Sequence, residues 1–409
     1  MLSLCLLNKL SKMNLFSEEL PMTMPLNQTI VKKENKQLVL QMVRQQEPIS
    51  RADIAQATGL NKGTVSTLVA ELLSEELLLE IGPGESSGGR KPVLLHFNEC
   101  AGFSIGIDLG VNYLLAVLTD LKGNILLKFQ EDHENTSPEQ TIKTIIRMVH
   151  QLREKSPTSY YGLIGIGIGV PAIVSTDGTI LHAPNLGWKH VQMNQQLMET
   201  FDVPVWIDNE ANFGVLGEQT YNTSEHQKNI LYLSVGIGIG AGLILDGNLF
   251  KGMHGHAGEV GHMTMEMNGP TCRCGNLGCW ELYASEQALL THSNPSRTLE
   301  ELLKLAKNED QQAVQQFENV ARYLGAGIVS LIHTFSPNQI IIGNRLALAH
   351  NYLYQELIAT VEKRMFAEQL HTEIVFSELI TDSTVLGATA FSIEQFIDDH
   401  QHHKINRTI

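Results

Sequence analysis

Apolar residues recur at helical spacing in three stretches between residues 36 and 74, and in short β-branched runs along much of the remaining chain. Lys36 to Gln46 carries Leu38, Val39, Met42 and Val43 on one face and ends before Pro48, which predicts a helix. Ser50 caps a second helix, Arg51 to Thr58, with Asp53 at the capping-box position and Gly59 as its breaker. From Asn61 a third helix buries Val65, Leu68, Val69, Leu72 and Leu73 and keeps Lys62, Thr64, Ser66 and Thr67 polar. Glu80 to Phe97 follows as two apolar arms around a glycine-rich tip, the pattern of a hairpin wing, with Arg90 and Lys91 just past the tip. Three helices alone would also suit a protein-interaction or dimerisation module, and the hairpin favours a winged helix-turn-helix. Arg51, Lys62, Thr64, Ser66, Thr67, Arg90 and Lys91 are then the candidate DNA contacts.

From Cys100 onward the period changes. Short strands are predicted at Gly102–Asp108, Leu114–Asp120, Gly162–Val170, Val205–Asp208, Ile230–Val235, Gly242–Leu245 and Gln339–Gly343, alternating with helical segments. A mixed α/β fold with two lobes and a ligand cleft between them is the economical reading. The expected division is an extension over residues 1–29, read as disordered or untranslated, with Met13, Met22 and Met24 as further starts. A DNA-binding domain over 30–97, a first lobe over 98–222 and a second lobe over 223–409 follow, the last helix returning to the first lobe. Three glycine-containing loops, Asp108-Leu-Gly-Val-Asn, Val235-Gly-Ile-Gly-Ile-Gly-Ala-Gly and Ile342-Gly-Asn-Arg, have the character of phosphate cradles, a weak signal in isolation.

A length of 409 residues with 43% hydrophobic content suits two or three cored domains. The net charge of -15 is unevenly placed: residues 30–97 hold eight basic and eight acidic residues, whereas 98–409 hold nineteen and thirty-four. Only the first segment can approach a phosphate backbone without strong repulsion. No run of about 18 apolar residues suggests a membrane span. Lys9 and Lys12 follow the apolar start instead of preceding it, which argues against a secretory leader.

The chemistry concentrates between Glu259 and Glu281. His262, Cys272, Cys274 and Cys279 form a Cys₃His set that closes a tetrahedron around Zn2+ with no position left for water, so the metal is structural. Gly275 and Gly278 fall where a loop wrapping a metal needs backbone angles that side chains disfavour. Cys5 and Cys100 stand apart, so the five cysteines are not a disulfide framework and the expected compartment is the reducing cytoplasm.

The order of wing, Asp-x-Gly loop, Asn-Glu-Ala-Asn, Gly-Glu-x-Gly-His and Cys-x-Cys-Gly-x-x-Gly-Cys-x-Glu resembles the ROK family of repressors and sugar kinases, over nearly all of residues 30–395. Thr58-Gly-Leu-Asn-Lys, Ser86-Ser-Gly-Gly-Arg-Lys-Pro and Cys279-Trp-Glu-Leu-Tyr-Ala-Ser-Glu are most similar to the xylose repressors of Gram-positive bacteria. The resemblance implies a two-lobed actin-like, sugar-kinase-like body and a sugar site of Asn209, Glu210, Glu259, His262 and Glu281, with His262 shared between metal and sugar. It also implies operator DNA, D-xylose or a related monosaccharide, and a second copy of the chain as partners. Against kinase activity, Glu210 replaces the catalytic Asp of the kinases it resembles. Val111 and Asn112 alter the first loop, Ile237 stands where the second has Thr, and Gly343-Asn-Arg replaces a glycine run. The expectation is a sugar-responsive repressor without enzymatic activity. The alternatives are a sugar kinase with an accessory DNA-binding head and a docking module for a transport protein. Trp188 is a candidate pocket wall, or simply core.

Overall fold

The computed structural model describes residues 28–83, 92–133, 137–222, 227–291, 297–366 and 371–399. The chain divides into two compact units at Phe97/Asn98. The first contains α1 (Gln28–Gln46), β1 (Ile49–Ser50), α2 (Arg51–Thr58), α3 (Lys62–Ser74), β2 (Leu78–Pro83) and β3 (Val93–Phe97). The Ser50–Asp53 capping box is closed in both directions, Gly59 ends α2 in the left-handed conformation, and the Asn61 side chain caps α3 through Thr64 N at 2.8 Å. Val39, Val43, Ile54, Val65, Val69 and Leu95 are buried between the helices and a three-stranded antiparallel sheet of order β1-β3-β2.

α1 begins at Gln28, inside the expected extension and two turns before the apolar period starts. Those polar turns are held by ion pairs to α3 and its C-cap, Lys32 to Glu71 and Lys36 to Glu75, each at 2.6 Å. The wing arms appear as β2 and β3, whereas Arg90 and Lys91 lie outside the described residues.

The second unit begins with β4 (Phe103–Leu109), β5 (Tyr113–Thr119), β6 (Ile125–Asp132), α4 (Pro138–Lys155), β7 (Leu163–Val170), β8 (Ile173–Val174), β9 (Ile180–Ala183), β10 (Trp188–Val191), α5 (Asn194–Phe201), β11 (Val205–Asn209) and α6 (Glu210–Tyr221). It continues with β12 (Ile230–Val235), β13 (Ile239–Leu245), β14 (Asn248–Leu249), α7 (Glu281–Ala284), α8 (Glu286–Thr291), α9 (Leu299–Lys307), α10 (Gln311–Phe335), β15 (Gln339–Gly343), α11 (His350–Arg364), β16 (Glu373–Phe376) and α12 (Ser383–Asp399).

Two five-stranded sheets organise it, of order β11-β7-β4-β5-β6 and β14-β13-β12-β15-β16. Counted within each sheet the pattern is the same: a three-strand meander, extended beyond its first strand by two further strands that run parallel to it. The unit is thus built from one topology used twice, so the first hairpin turn of each half holds an equivalent position. Ile105, Ile107, Ile166, Ile168, Ile145 and Val149 centre the first core, and Leu231, Leu233, Ile340, Ile342, Leu324 and Ile328 the second. Trp188 belongs to the first core. α6 packs on β12 and β13, and α12 crosses it to reach β4 and β7. A Cβ on Gly387 would sit 1.7 Å from the Phe213 carbonyl oxygen, so the two helices cross with backbones in contact. No described helix is long and apolar enough to cross a membrane.

Candidate functional site

A cavity of about 310 Å³ lies between the sheets. One wall comes from the β4–β5 turn, Ala172, His182 and the β11–α6 junction, the other from the β12–β13 turn, Glu259, His262 and the loop ending at Glu281. Its volume sits near the lower end of the range typical of ligand sites, roughly 300–1,000 Å³.

The metal-type donors of His262, Cys272, Cys274 and Cys279 all lie within 4.8 Å of one another. His262 Nδ1 is 3.6 Å from Cys272 Sγ, and the Cys274 and Cys279 sulfurs are 3.7 Å apart. A zinc tetrahedron with bonds of about 2.0–2.3 Å has edges of about 3.5–3.8 Å, and these two separations match it. The loop achieves this through Gly275 (φ 94°) and Gly278 (φ 62°), the latter so close to the Glu266 carbonyl that a Cβ would lie 1.8 Å from its oxygen. Trp280, fully buried beside Cys279, donates from Nε1 to Tyr323 O at 2.8 Å and roots the loop in the second core. Burial, and then the hydrogen bond to Glu281, push the Cys272 thiol well up.

Around this cluster the carboxylates converge. Glu281 Oε1 accepts from Cys272 Sγ at 3.0 Å and lies 3.5 Å from His262 Nδ1, whereas Glu259 Oε2 faces His262 Nε2 at 3.8 Å. One ring nitrogen of His262 thus points to the thiols and the other to the cavity's carboxylate side. Burial also raises Glu259.

Asn209 is more constrained than its sequence role suggests. Its Oδ1 caps α6 through Ala211 N at 2.8 Å, and Nδ2 donates to Ala172 O at 3.0 Å. Glu210 opens α6 with a buried Oε2 that has no hydrogen-bond partner. Burial, then the nearby Asp108 carboxylate, push Glu210 up to about 8, and burial pushes Asp108 up to about 7 despite its hydrogen bond from Tyr113. Glu210 thus lines the cavity with a carboxyl group one of whose oxygens is enclosed and unpartnered.

The three glycine loops have other partners. Tyr113 Oη donates to Asp108 Oδ2 at 2.6 Å, and its ring packs against Gly110, where an added Cβ would clash at 2.3 Å. The second loop is the tight turn Gly236–Gly238 between β12 and β13, and its later glycines lie within β13. Asn344 sits at φ 62° and donates to Ser234 Oγ at 3.0 Å. Arg345 is held by Glu286 at 3.0 Å and Glu300 at 2.9 Å. Sequence reasoning named Arg345 in a candidate loop and Glu286 at the end of a motif but not their ion pair, and it missed the Tyr113 bond to Asp108 and the ion pair of Lys251 with Asp208. Each pairs residues far apart in the chain or carries no distinctive spacing.

In the first unit, Lys62, Ser66 and Thr67 are exposed and Thr64 half-buried on one end of α3. The Ser66 and Thr67 hydroxyls donate to Lys62 O and Gly63 O at 2.8 and 3.1 Å, which leaves their lone pairs outward. Arg51 pairs with Glu80 on β2 at 2.8 Å.

The sequence profile of the ROK family matches residues 104–395. The chain is 42% identical over 376 residues to a xylose repressor of Bacillus spizizenii, covering 91% of this chain and 98% of that protein. Its fold is similar to that of a crystallised ROK family transcriptional regulator, described as a homolog of the E. coli MLC protein. That match has a TM-score of 0.76 and 26% identity, over 92% of this chain and 99% of the other. It is also similar to a ROK family glucokinase from Streptomyces griseus in complex with glucose and AMPPNP, with a TM-score of 0.67 and 25% identity, over 71% of this chain and 99% of that one. With the profile spanning most of its second unit and the relatives spanning nearly all of its length, the chain belongs to the ROK family.

Proposed function

We propose that this protein is a sugar-responsive transcriptional repressor of xylose-utilisation genes, released from operator DNA when D-xylose occupies the cleft. The observation that carries this reading is the asymmetry of the cavity. Glu210, Glu259 and Glu281 present carboxyl groups to it, while the groups on the nucleotide side are engaged with one another. The similarity to a xylose repressor supports the choice of sugar.

Asn209, Glu210, Glu259, His262 and Glu281 form the sugar site, where carboxyl groups hold vicinal hydroxyls. His262, Cys272, Cys274 and Cys279 hold a structural Zn2+, which keeps the His262 ring in a single orientation. The protein turns over no ATP. Tyr113 occupies the Asp108 carboxylate, and Glu210, one methylene longer than the Asp of the kinases it resembles, carries its carboxyl away from the position of their base.

The first unit is a winged helix-turn-helix that works as a homodimer on a palindromic operator in the cytoplasm. Lys62, Thr64, Ser66 and Thr67 read the major groove, Arg51 leaves Glu80 for a phosphate, and Arg90 and Lys91 contact DNA from the wing. Sugar binding changes the lobe arrangement and with it the spacing of the paired recognition helices, and linkage requires operator DNA to weaken sugar binding by the same factor.

Calorimetric titration with D-xylose, D-glucose and N-acetylglucosamine, repeated with ATP and an ADP assay, tests the proposal. D-xylose binding without ADP release is expected. ADP release with any of the sugars would overturn it in favour of a kinase with an accessory DNA-binding head.

A further inference from the structure

Arg273 stands between two metal-type ligands, Cys272 and Cys274, so its backbone is fixed wherever that loop is fixed. Its Nη1 donates to Asn185 Oδ1 at 2.9 Å, across 88 positions of sequence. Asn185 belongs to the opposite side of the cleft, in the turn between β9 and β10. That turn is rigid: Leu186 N donates to Ala183 O at 3.1 Å, and Trp188, which pairs with Ala183 across the strands, is sunk in the first-lobe core. Arg273 and Asn185 line the same cavity as Glu259, His262 and Glu281. Arg273 is exposed and Asn185 half-buried, so the contact lies where the cavity meets solvent.

Two features make this bond sensitive to lobe separation. Neither backbone can follow the other, because one is knitted by the Cys₃His cluster and the other by a tight hairpin. A hydrogen bond holds over only a few tenths of an ångström, so a displacement of about 1 Å between the lobes opens it. The other arginine lining the cavity, Arg345, is held by Glu286 and Glu300.

A second tie joins the lobes, from the segment after β14. Lys251 pairs with the buried Asp208, and Gly255 packs so tightly on β8 that a Cβ would lie 2.3 Å from the Val174 carbonyl oxygen. Removing Lys251 would take the ion pair from the buried Asp208 carboxylate, whose other oxygen accepts from Asn209 N and Asn212 Nδ2, each at 2.8 Å. Removing Arg273 or Asn185 strands nothing, so theirs is the tie that can open and close.

The geometry points to Arg273 and Asn185 as a latch that closes the metal loop and the β9–β10 turn over a bound sugar, Arg273 being a positioning residue that sets ligand retention. The inference rests on the sugar-cleft reading above. It predicts that Arg273→Ala and Asn185→Ala each raise the D-xylose Kd by about 10-fold, the lower end for a hydrogen bond to a charged group. The double variant should be no worse than the weaker-binding single, because both side chains act through one contact.

Calorimetry on the full-length protein and its three variants, with metal content and melting temperature measured alongside, makes the test. Asn185→Ala lies away from the metal ligands and should keep parental metal content and melting temperature, so a raised Kd there reports the latch and not the fold. An unchanged Kd in Asn185→Ala, or losses that add in the double variant, overturns the latch. If the unchanged protein fails to bind D-xylose at all, the sugar reading falls and takes the latch with it, an outcome distinct from binding that ignores both substitutions.

Discussion

The two ends of the cleft are made from the same kinds of polar residue and treat them in opposite ways. At the end bearing the Cys₃His donors, Glu259 and Glu281 gather around His262. At the loop end, Asp108 takes the Tyr113 hydroxyl, Ser234 takes the Asn344 amide, and Arg345 is gripped by Glu286 and Glu300. A cleft retains affinity where its polar groups are held in place but left incomplete, and loses it where they complete one another.

The harshest way to break this contrast is to dismantle the metal end. Chelation, or Cys279→Ser, should abolish D-xylose binding and lower the melting temperature by about 10 °C or more, since a structural metal contributes folding energy directly. Calorimetry and thermal melts check this, and a chelated protein with both properties intact would contradict the metal assignment.

A paired substitution sharpens the contrast. Glu281→Gln should weaken D-xylose binding by about 30-fold, as expected for a charged hydrogen-bonding partner. Arg345→Ala should leave the Kd within about twofold yet cost about 3 kcal/mol of stability, because it strands the buried Glu286 carboxylate. Denaturant melts and titrations on both variants decide, and a large Kd change from Arg345→Ala would put the sugar at the wrong end.

The smallest effect concerns protons. Asp108 and Glu210 sit near 7 and 8 in the folded chain against ordinary values of 3.8 and 4.5. The folded state therefore holds protons that the unfolded chain has already released. The pair's stabilising contribution is full below about pH 4 and declines as pH rises through about 7 and 8. Urea midpoints of the parent should fall more steeply between about pH 5 and 8 than those of the Asp108→Asn, Glu210→Gln double variant. Equal slopes would mean that the pair is ionised throughout.

Much of the fold was legible because it is written locally. The Ser50–Asp53 box, the Gly59 stop and the Val65-Leu68-Val69-Leu72 stripe each sit within one or two helical turns, and the central strands are β-branched runs. The Cys₃His cluster was legible for the same reason, with three of its ligands inside eight residues. The missed strands failed on local grounds. β6 is an edge strand in which Lys128, Glu131 and Asp132 interrupt the apolar residues, and β8, β9 and β10 are too short to show a period. The first turns of α1 are tied to α3 and its C-cap by Lys32 and Lys36 reaching Glu71 and Glu75, contacts that no periodicity reveals. In the cleft, Arg345 meets Glu286 across 59 positions and Arg273 meets Asn185 across 88, distances over which spacing carries no information.

Trp280 has an optical consequence. Of the chain's three tryptophans, Trp188 and Trp206 belong to the first lobe, while Trp280 follows Cys279 directly and is enclosed in the second core. Its indole is therefore a built-in emitter whose colour reports the integrity of the adjacent loop. With phenylalanine at the other two positions, loosening of that loop would be visible as a red shift from a single chromophore, without any label.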